Sequence, residues 1–154
     1  MTASASDDLT AYARSLGIRI ASGGGNASED QSPILTVDFG TGVEGRPGHY
    51  HGGAIGGLLE TAGYTALRRQ LAQAGRAPRL KPVNITVQFL AAGKARASFA
   101  KASVFRLGRR NAHIEVQAWQ DGDDGARAER RIIATAVMNI LMVEEEEADE
   151  TTGS

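Results

Sequence analysis

The stretch that decides the fold is residues 48–67, which read GHYHGGAIGGLLETAGYTAL. After its first pair of adjacent glycines, apolar side chains recur every three or four residues, which is the spacing of one face of an α-helix. Gly75 and Pro78 follow, and both are residue types that commonly end a helix. The sequence therefore predicts one long helix from about Gly53 to Ala74.

Strand-like segments surround this helix. One precedes it and four follow it, at residues 34–39, 82–90, 95–107, 111–119 and 130–142. Within the third segment the apolar phase shifts near Phe99 and Ala100, which predicts a β-bulge there. One long helix with a meander of antiparallel strands indicates an α+β fold. A sheet covered by a single helix leaves its other face and its edges open to a partner, so we expect an oligomer.

The two ends of the chain differ from its middle. Of the 154 residues, 1–33 predict a short helix, capped by Asp7 or Asp8, and then a loop. Residues 34–142 predict a single folded domain. Residues 143–154 hold six of the 18 acidic residues and no basic one, so we expect a disordered acidic tail. Without that tail the net charge of the chain is about +5, which favours an anionic ligand.

The composition excludes several classes of function. The chain contains no cysteine, which excludes disulfides, zinc–thiolate sites and a thiol nucleophile. No apolar run is long enough to span a bilayer and no apolar signal core stands at the start, so we expect a cytoplasmic protein with no membrane partner. Aromatic residues make up only 5% of the chain and no stacking motif occurs, which argues against a nucleic-acid partner.

Glu60 is the only charged residue in the apolar stretch 54–67. No lysine or arginine lies three or four positions away to pair with it, and Gly56 and Gly63 share its helix stripe. Two interpretations stay open. Either the missing side chains leave room for a ligand at a functional carboxylate, or Glu60 faces solvent and the glycines allow close helix packing.

His51, Gly52 and Gly53 stand at the start of the predicted helix. The first backbone N–H groups of a helix have no partner inside it, and the helix dipole favours negative charge there. Because glycine lets a ligand approach the backbone closely, the segment fits an oxyanion site for a carbonyl oxygen. Glycines before a helix are also typical of a turn. His51 is either a positioning or acid–base group or a buried structural histidine.

Together these residues resemble the signature of hotdog-fold acyl-CoA thioesterases of the phenylacetate-degradation (PaaI-like) type. That family has HGG followed by an acidic residue nine positions after the histidine, and Glu60 stands nine positions after His51. The strands up to residue 142 also resemble those of the family. The resemblance implies a hotdog fold, with an antiparallel sheet wrapped around one long central helix. It implies hydrolysis of a small or aromatic acyl-CoA to the free acid and coenzyme A.

The resemblance also implies roles and an assembly. Glu60 would be the catalytic carboxylate, as general base or nucleophile, the Gly52 N–H would polarise the thioester carbonyl, and His51 would order the site. A homodimer or homotetramer is implied, with residues 82–90 near the seam and sites between protomers. No metal and no cofactor are implied, since coenzyme A enters only as part of the substrate.

With coenzyme A as ligand, basic residues become candidates for its phosphates, because the arginine guanidinium binds phosphate in a bidentate manner. We favour two residues that precede the strand after the helix and two in the turn at 108–110. The candidate substrate-binding residues are Gly53, Tyr64, Arg79, Lys81, Arg109 and Arg110.

One position departs from the family pattern. The family often has Asn or Gln fifteen positions before the acid, where this chain has Gly45. Glu44, Arg46 and His49 lie nearby, but none is equivalent. The departure keeps a second function open, that of a non-catalytic hotdog protein that binds an acyl-CoA or a small aromatic acid.

Overall fold

The computed structural model describes residues 9–21, 32–122 and 129–144. They contain two helices, α1 (Ala11–Ser15) and α2 (Gly52–Gln73), and six strands. The strands are β1 (Arg19–Ile20), β2 (Leu35–Val37), β3 (Arg79–Phe89), β4 (Ser98–Leu107), β5 (Asn111–Gln120) and β6 (Arg131–Val143). Neither helix is long and apolar enough to cross a membrane. The predicted caps Asp7 and Asp8, most of the loop predicted before residue 34, and residues 145–154 of the predicted tail lie outside the described residues.

The six strands form one antiparallel sheet in the order β1-β2-β4-β5-β6-β3. Helix α2 packs on one face of this sheet, mainly against β4 and β5. The core lies between the two layers. Leu58, Leu59 and Leu67 of the helix are fully buried, as are Ala112 and Ile114 of β5. This arrangement confirms the predicted α+β class, with an antiparallel sheet against one long helix.

The strand order corrects the predicted meander. β3 pairs with β6, at the far side of the sheet, and not with β4, which follows it in the chain. β3 is therefore an edge strand, and its Val83 and Phe89 side chains are 60% and 59% exposed. Alternation along a sequence identifies the two faces of a strand but not its neighbour, which is why the order was predicted wrongly.

The predicted bulge near Phe99 and Ala100 is also wrong. β4 stays in register with β5 at those residues, and its register shifts between Val104 and Arg106 instead. The apparent phase shift in the sequence has another cause. A polar residue, Ser98, is fully buried on the inner face, while the aromatic Phe99 is turned away and stacks on β5.

Helix α2 lies closely against the sheet at its centre. A Cβ built on Gly63 would collide with Met138 Sδ of β6, so only glycine allows this approach. The helix ends at Gln73, and Gly75 follows with φ of +70°, a conformation that glycine adopts readily. The predicted bounds Gly53 and Ala74 are thus correct to within one residue at each end.

The N-terminal segment packs onto the same core. Thr10 caps α1 by accepting a hydrogen bond from the Ala13 N–H at 3.1 Å. Leu16 reaches the start of α2, where a Cβ on Gly57 would lie 2.9 Å from Leu16 Cδ1. β1 adds a short strand to the sheet beside β2. Since Ala13 and Ile18 are buried in the shared core, this segment belongs structurally to the predicted domain.

Candidate active site

The start of α2 is held by its own first residues. The Nδ1 atom of His51, the N-cap residue, accepts a hydrogen bond from the Gly53 N–H at 2.8 Å. The His51 carbonyl oxygen accepts from the Ala54 and Ile55 N–H groups. Because Nδ1 is an acceptor here, neutral His51 carries its ring proton on Nε2. Among the residues that the structure describes, the Gly52 N–H has no hydrogen-bond partner.

A cavity of about 310 Å³ opens beside this N–H, and we call it the Gly52 cavity. It is lined by Tyr50, Gly52, Ile55, Phe89, Leu90, Ala91, Ala92, Gly93 and Ile133. A Cβ on Gly52 would lie 3.4 Å from the Phe89 ring, so the space beside the backbone is narrow. An unpaired N–H at a helix start, in a largely apolar cavity, suits a developing negative charge. His51 is exposed in this chain and does not line the cavity, so it is not a buried histidine here.

Tyr50 fixes the loop that leads into α2. Its hydroxyl lies 3.0 Å from the Val37 carbonyl oxygen and 2.8 Å from that of Arg96. Its backbone N–H donates to the Gly93 carbonyl at 2.9 Å. Burial raises the pKa of Tyr50, so the hydroxyl stays a hydrogen-bond donor. Tyr50 is not among the residues predicted from the sequence, where its only signal is an aromatic side chain within a glycine-rich loop.

The same loop explains the departure at Gly45. A Cβ on Gly45 would lie 2.9 Å from His51 Cα, so a longer side chain does not fit without a backbone shift. The polar neighbours serve the turn itself. The Glu44 carboxylate accepts from the Gly48 N–H at 3.0 Å, and His49 Nδ1 lies 3.0 Å from the Pro47 carbonyl oxygen. The loop therefore places neither Asn nor Gln at this position.

Glu60 lies on an exposed side of α2, in a second cavity of about 270 Å³ that we call the Glu60 groove. Its other lining residues are Thr10, Tyr12, Gly57, Thr61, Tyr64, Arg68 and Leu80. In the described part of the chain Glu60 forms no ion pair. Of the two flanking glycines, Gly56 faces open space, whereas Gly63 packs on the sheet. The carboxylate thus faces solvent and a groove at once.

Tyr64 lies between the two charged residues of this groove. Burial raises the pKa of Tyr64, the negative charge of Glu60 raises it further, and Arg68 lowers it. The Arg68 guanidinium carbon lies 5.4 Å from the centre of the Tyr64 ring, within cation–π range. Tyr64 therefore keeps a neutral hydroxyl next to Glu60 at neutral pH. Tyr12 and Thr61 were missed from the sequence, whereas Arg68 is one of the basic residues that the sequence offers as phosphate candidates.

The two parts of the predicted catalytic machinery do not meet within one chain. Gly52 and Glu60 are eight residues apart on a straight helix, which places them about 12 Å apart along its axis. They also line different cavities. A single thioester carbonyl does not reach both groups of the same chain.

The predicted phosphate-binding residues gather at the other end of the sheet. Arg79 begins β3 opposite the last residue of β6, and Arg109 and Arg110 form the neighbouring turn between β4 and β5. Arg79 and Lys81 alternate with Leu80, which packs on the core, so they lie on the face away from α2. None of the four lines the Glu60 groove, whereas Tyr64 does.

Arg76, which follows α2, holds that turn in place. Its guanidinium donates to the carbonyl oxygens of Gly108 and Arg109 at 3.3 and 3.0 Å. It also pairs with Glu144 at 3.0 Å, so the chain just after β6 is fixed to the same end of the sheet. The first two residues of the predicted disordered tail are thus ordered, because Val143 ends β6 and Glu144 forms this ion pair.

A comparison of the chain with models of protein families shows which family the chain belongs to. The model of the acyl-CoA thioesterase N-terminal domain matches residues 44–139, which is more than half of the chain. The chain belongs to the acyl-CoA thioesterase family. This thioesterase carries the matched segment from Glu44, through α2, to β6. The whole lining of the Gly52 cavity falls within it, whereas Thr10 and Tyr12 of the Glu60 groove lie before it. A comparison with curated proteins finds no match.

Solved structures confirm the hotdog fold. A thioesterase from Haemophilus influenzae superposes with a TM-score of 0.72 at 18% identity, covering 91% of this chain and 87% of that one. A putative thioesterase from Ralstonia eutropha, described as related to phenylacetic acid degradation, gives 0.64 at 18% identity, with 86% and 90% covered. A Bacillus halodurans protein solved with CoA gives 0.59 at 18% identity, with 71% and 66% covered. The family match makes this hotdog chain a thioester hydrolase.

Proposed function

We propose that this thioesterase hydrolyses a small or aromatic acyl-CoA, with Glu60 as the catalytic carboxylate and the Gly52 N–H as the oxyanion donor. The observation that carries the proposal is the unpaired Gly52 N–H at the helix start, beside a narrow cavity. His51 acts as a positioning residue, because its Nδ1 takes up the Gly53 N–H and thereby leaves that of Gly52 for the substrate. An acyl-CoA substrate also favours a cytoplasmic location.

In the general-base route, Glu60 takes a proton from water as the water oxygen attacks the thioester carbon. The carbonyl oxygen becomes an oxyanion and receives the Gly52 N–H hydrogen bond. The tetrahedral intermediate then collapses, the C–S bond breaks, and the proton passes from Glu60 to the thiolate of coenzyme A. In the nucleophilic route, a Glu60 carboxylate oxygen attacks the carbon, the C–S bond breaks, and coenzyme A leaves as a thiolate that takes a proton from solvent. Water then hydrolyses the resulting anhydride to the free acid and regenerates the Glu60 carboxylate.

We further propose that two copies of the chain build each site. The axial separation of Gly52 and Glu60 supports this, because one carbonyl would need Glu60 from one protomer and Gly52 from its partner. The edge strand β3, with its exposed Val83, Phe89 and Leu90 side chains, offers a surface for a homodimer. Pairing of two such dimers through another face would give a homotetramer.

For the remainder of coenzyme A, we propose that Arg79, Lys81, Arg109 and Arg110 contribute to phosphate binding, with Gly53 and Tyr64 nearer the thioester. Their positions at one end of the sheet and their positive charge support this role. The proposal needs no metal and no cofactor besides the coenzyme A of the substrate.

The direct test is a panel of short-chain, medium-chain and aromatic acyl-CoAs, with thiol release as the readout. We expect Glu60→Gln to lower kcat about 10²- to 10⁴-fold. Glu115→Gln, which removes an exposed glutamate from β5, is the matched control and should leave kcat unchanged. Absence of turnover on the whole panel, or full activity of Glu60→Gln, would contradict the proposal, and tight binding without turnover would instead identify a binding protein.

The two routes are separated by hydrolysis in ¹⁸O-labelled water under single-turnover conditions. Label in the Glu60 carboxylate indicates an anhydride opened at the Glu60 carbonyl. Label only in the released acid shows attack of water at the acyl carbon, and capture of the acyl group by hydroxylamine in a rapid-quench experiment then indicates an anhydride, whereas its absence indicates direct attack on the thioester.

A further inference from the structure

The Glu60 groove has a directional arrangement of side chains. Gly57, Glu60, Tyr64 and Arg68 recur at three- and four-residue spacing, so they follow one stripe of α2. Tyr12 from α1 forms the facing wall near Gly57, where a Cβ would lie 3.3 Å from the Tyr12 ring. The stripe therefore runs from the carboxylate, past an aromatic side chain, to a cation.

The cation at the far end is available to a ligand. Arg68 is exposed, and its guanidinium is held over the Tyr64 ring. In residues 9–21, 32–122 and 129–144 no carboxylate lies within 4 Å of it, since the two ion pairs there involve Arg19 and Arg76. Glu60 is eight residues, or about 12 Å of helix axis, away. The groove thus has a negative and a positive end, separated by apolar and aromatic surface.

We propose that the Glu60 groove selects acyl groups with an anion at their far end, such as the monothioester of a dicarboxylic acid, and that Arg68 binds this anion. The inference rests on the proposed thioesterase function and specifies its substrate class. With the thioester carbonyl beside Glu60, the middle of the acyl chain lies along Tyr64, which stands between Glu60 and Arg68 on the stripe. A terminal carboxylate then meets a guanidinium, which binds it through two parallel hydrogen bonds.

An anion at Arg68 has two sources in an acyl-CoA, the acyl terminus and the phosphates of coenzyme A. The position of Arg68 in the groove that holds Glu60 favours the acyl terminus, because the predicted phosphate-binding residues lie outside this groove. The two sources predict a different dependence of the Arg68 contact on the substrate. A phosphate contact affects all acyl-CoAs equally and disappears in acyl-pantetheine, which has no nucleotide phosphates.

The test compares the full-length protein with Arg68→Gln on matched pairs, adipoyl-CoA with hexanoyl-CoA and suberoyl-CoA with octanoyl-CoA. We expect Arg68→Gln to lower kcat/KM about 10-fold or more for the dicarboxylic substrates and less than about twofold for the others. Arg68→Lys should recover part of the loss. Arg69→Gln removes the neighbouring charge outside the groove and serves as the matched control.

Equal losses on all four substrates, with no loss on adipoyl-pantetheine, would assign Arg68 to the phosphates and overturn the proposal. An unchanged preference of Arg68→Gln for the dicarboxylic over the monocarboxylic substrates would also overturn the proposal. If the wild type hydrolyses other acyl-CoAs but none of these four, the inference fails and the proposed function stands; if it hydrolyses no acyl-CoA of the whole panel, the proposed function fails on its own. Calorimetric titration of monomethyl adipate against methyl hexanoate then still tests the inference, because only monomethyl adipate carries an anion at the end away from its ester. Only monomethyl adipate should bind the wild type, and its binding should be lost in Arg68→Gln.

Discussion

The Gly52 cavity and the Glu60 groove lie on the same helix, but different parts of the chain build them. The first presents a backbone N–H, set by a histidine cap and by the fold of the entering loop. The second presents side chains at helical spacing. A backbone donor is the same for every sequence that keeps the loop, whereas side chains vary without changing the fold. In the proposed mechanism the first region supplies the oxyanion donor, and the second supplies both the catalytic carboxylate and the side chains that select the substrate.

Among changes to the Gly52 cavity, removing its backbone donor should have the largest effect. Gly52→Pro deletes the N–H at the first helical position, where proline fits, and the extended His51 (φ −65°, ψ 135°) is compatible with a following proline. We expect a loss of kcat of about 10²- to 10³-fold with little change in Tm. Gly52→Ala keeps the N–H and adds only a Cβ in ordinary contact with Phe89, so it should lose far less.

Mixing two inactive variants tests whether the regions act across protomers. Gly52→Pro and Glu60→Gln subunits, unfolded together and refolded, would form hybrid dimers with one intact site, which restores about a quarter of the wild-type activity. No recovery, with hybrid dimers verified by mass spectrometry, would place both groups in one chain and contradict the two-copy site.

The cap of α2 should have a smaller effect, mainly on stability. His51→Ala removes the acceptor of the Gly53 N–H and should lower the free energy of unfolding by about 1 kcal/mol, measured by urea titration. His51→Asn offers a side-chain acceptor at the same N-cap and should recover most of this loss. If Asn restores stability but not kcat, the imidazole has a role beyond the cap.

The smallest effect is expected at Tyr50, which supports the loop of the Gly52 cavity. Tyr50→Phe removes the hydroxyl between the Val37 and Arg96 carbonyls and should cost about 1 kcal/mol of stability. Because the folded pKa is raised, the unfolded chain ionises first, and stability falls as the pH rises above about 10. Chemical denaturation from pH 8 to 11 should show a shallower fall in Tyr50→Phe; an unchanged slope would exclude this linkage.

The sequence allowed prediction of features that depend on local pattern. The bounds of α2 follow from periodicity, as does the existence of the four strands after it. The pairing of β3 with β6 and the true position of the β4 bulge depend on contacts between distant segments, which alternation does not encode. The buried Ser98 beside the outward Phe99 gave an apparent shift in the apolar alternation, which was wrongly interpreted as a bulge. Polarity alone does not show which of two adjacent residues faces the core.

The residues of the candidate site divide in the same way, into those that local sequence pattern indicates and those that only tertiary packing brings together. Glu60, Gly52 and His51 could be selected because helix position and residue type indicate their chemistry. Tyr12 could not, since only the packing of α1 on Gly57 brings it to the groove. At Gly45 the sequence revealed that a side chain is missing, but the reason, the close approach of His51, is visible only in three dimensions.

The close packing of Gly63 against Met138 has a consequence for oxidative damage. Met138 is only 2% exposed, and its sulfur lies where even one added carbon on the helix would not fit. Conversion to the sulfoxide adds an oxygen at that sulfur and makes the side chain polar. The oxygen would push α2 away from the sheet within one turn of Glu60. Burial of this sulfur therefore protects the alignment of the catalytic helix from peroxide.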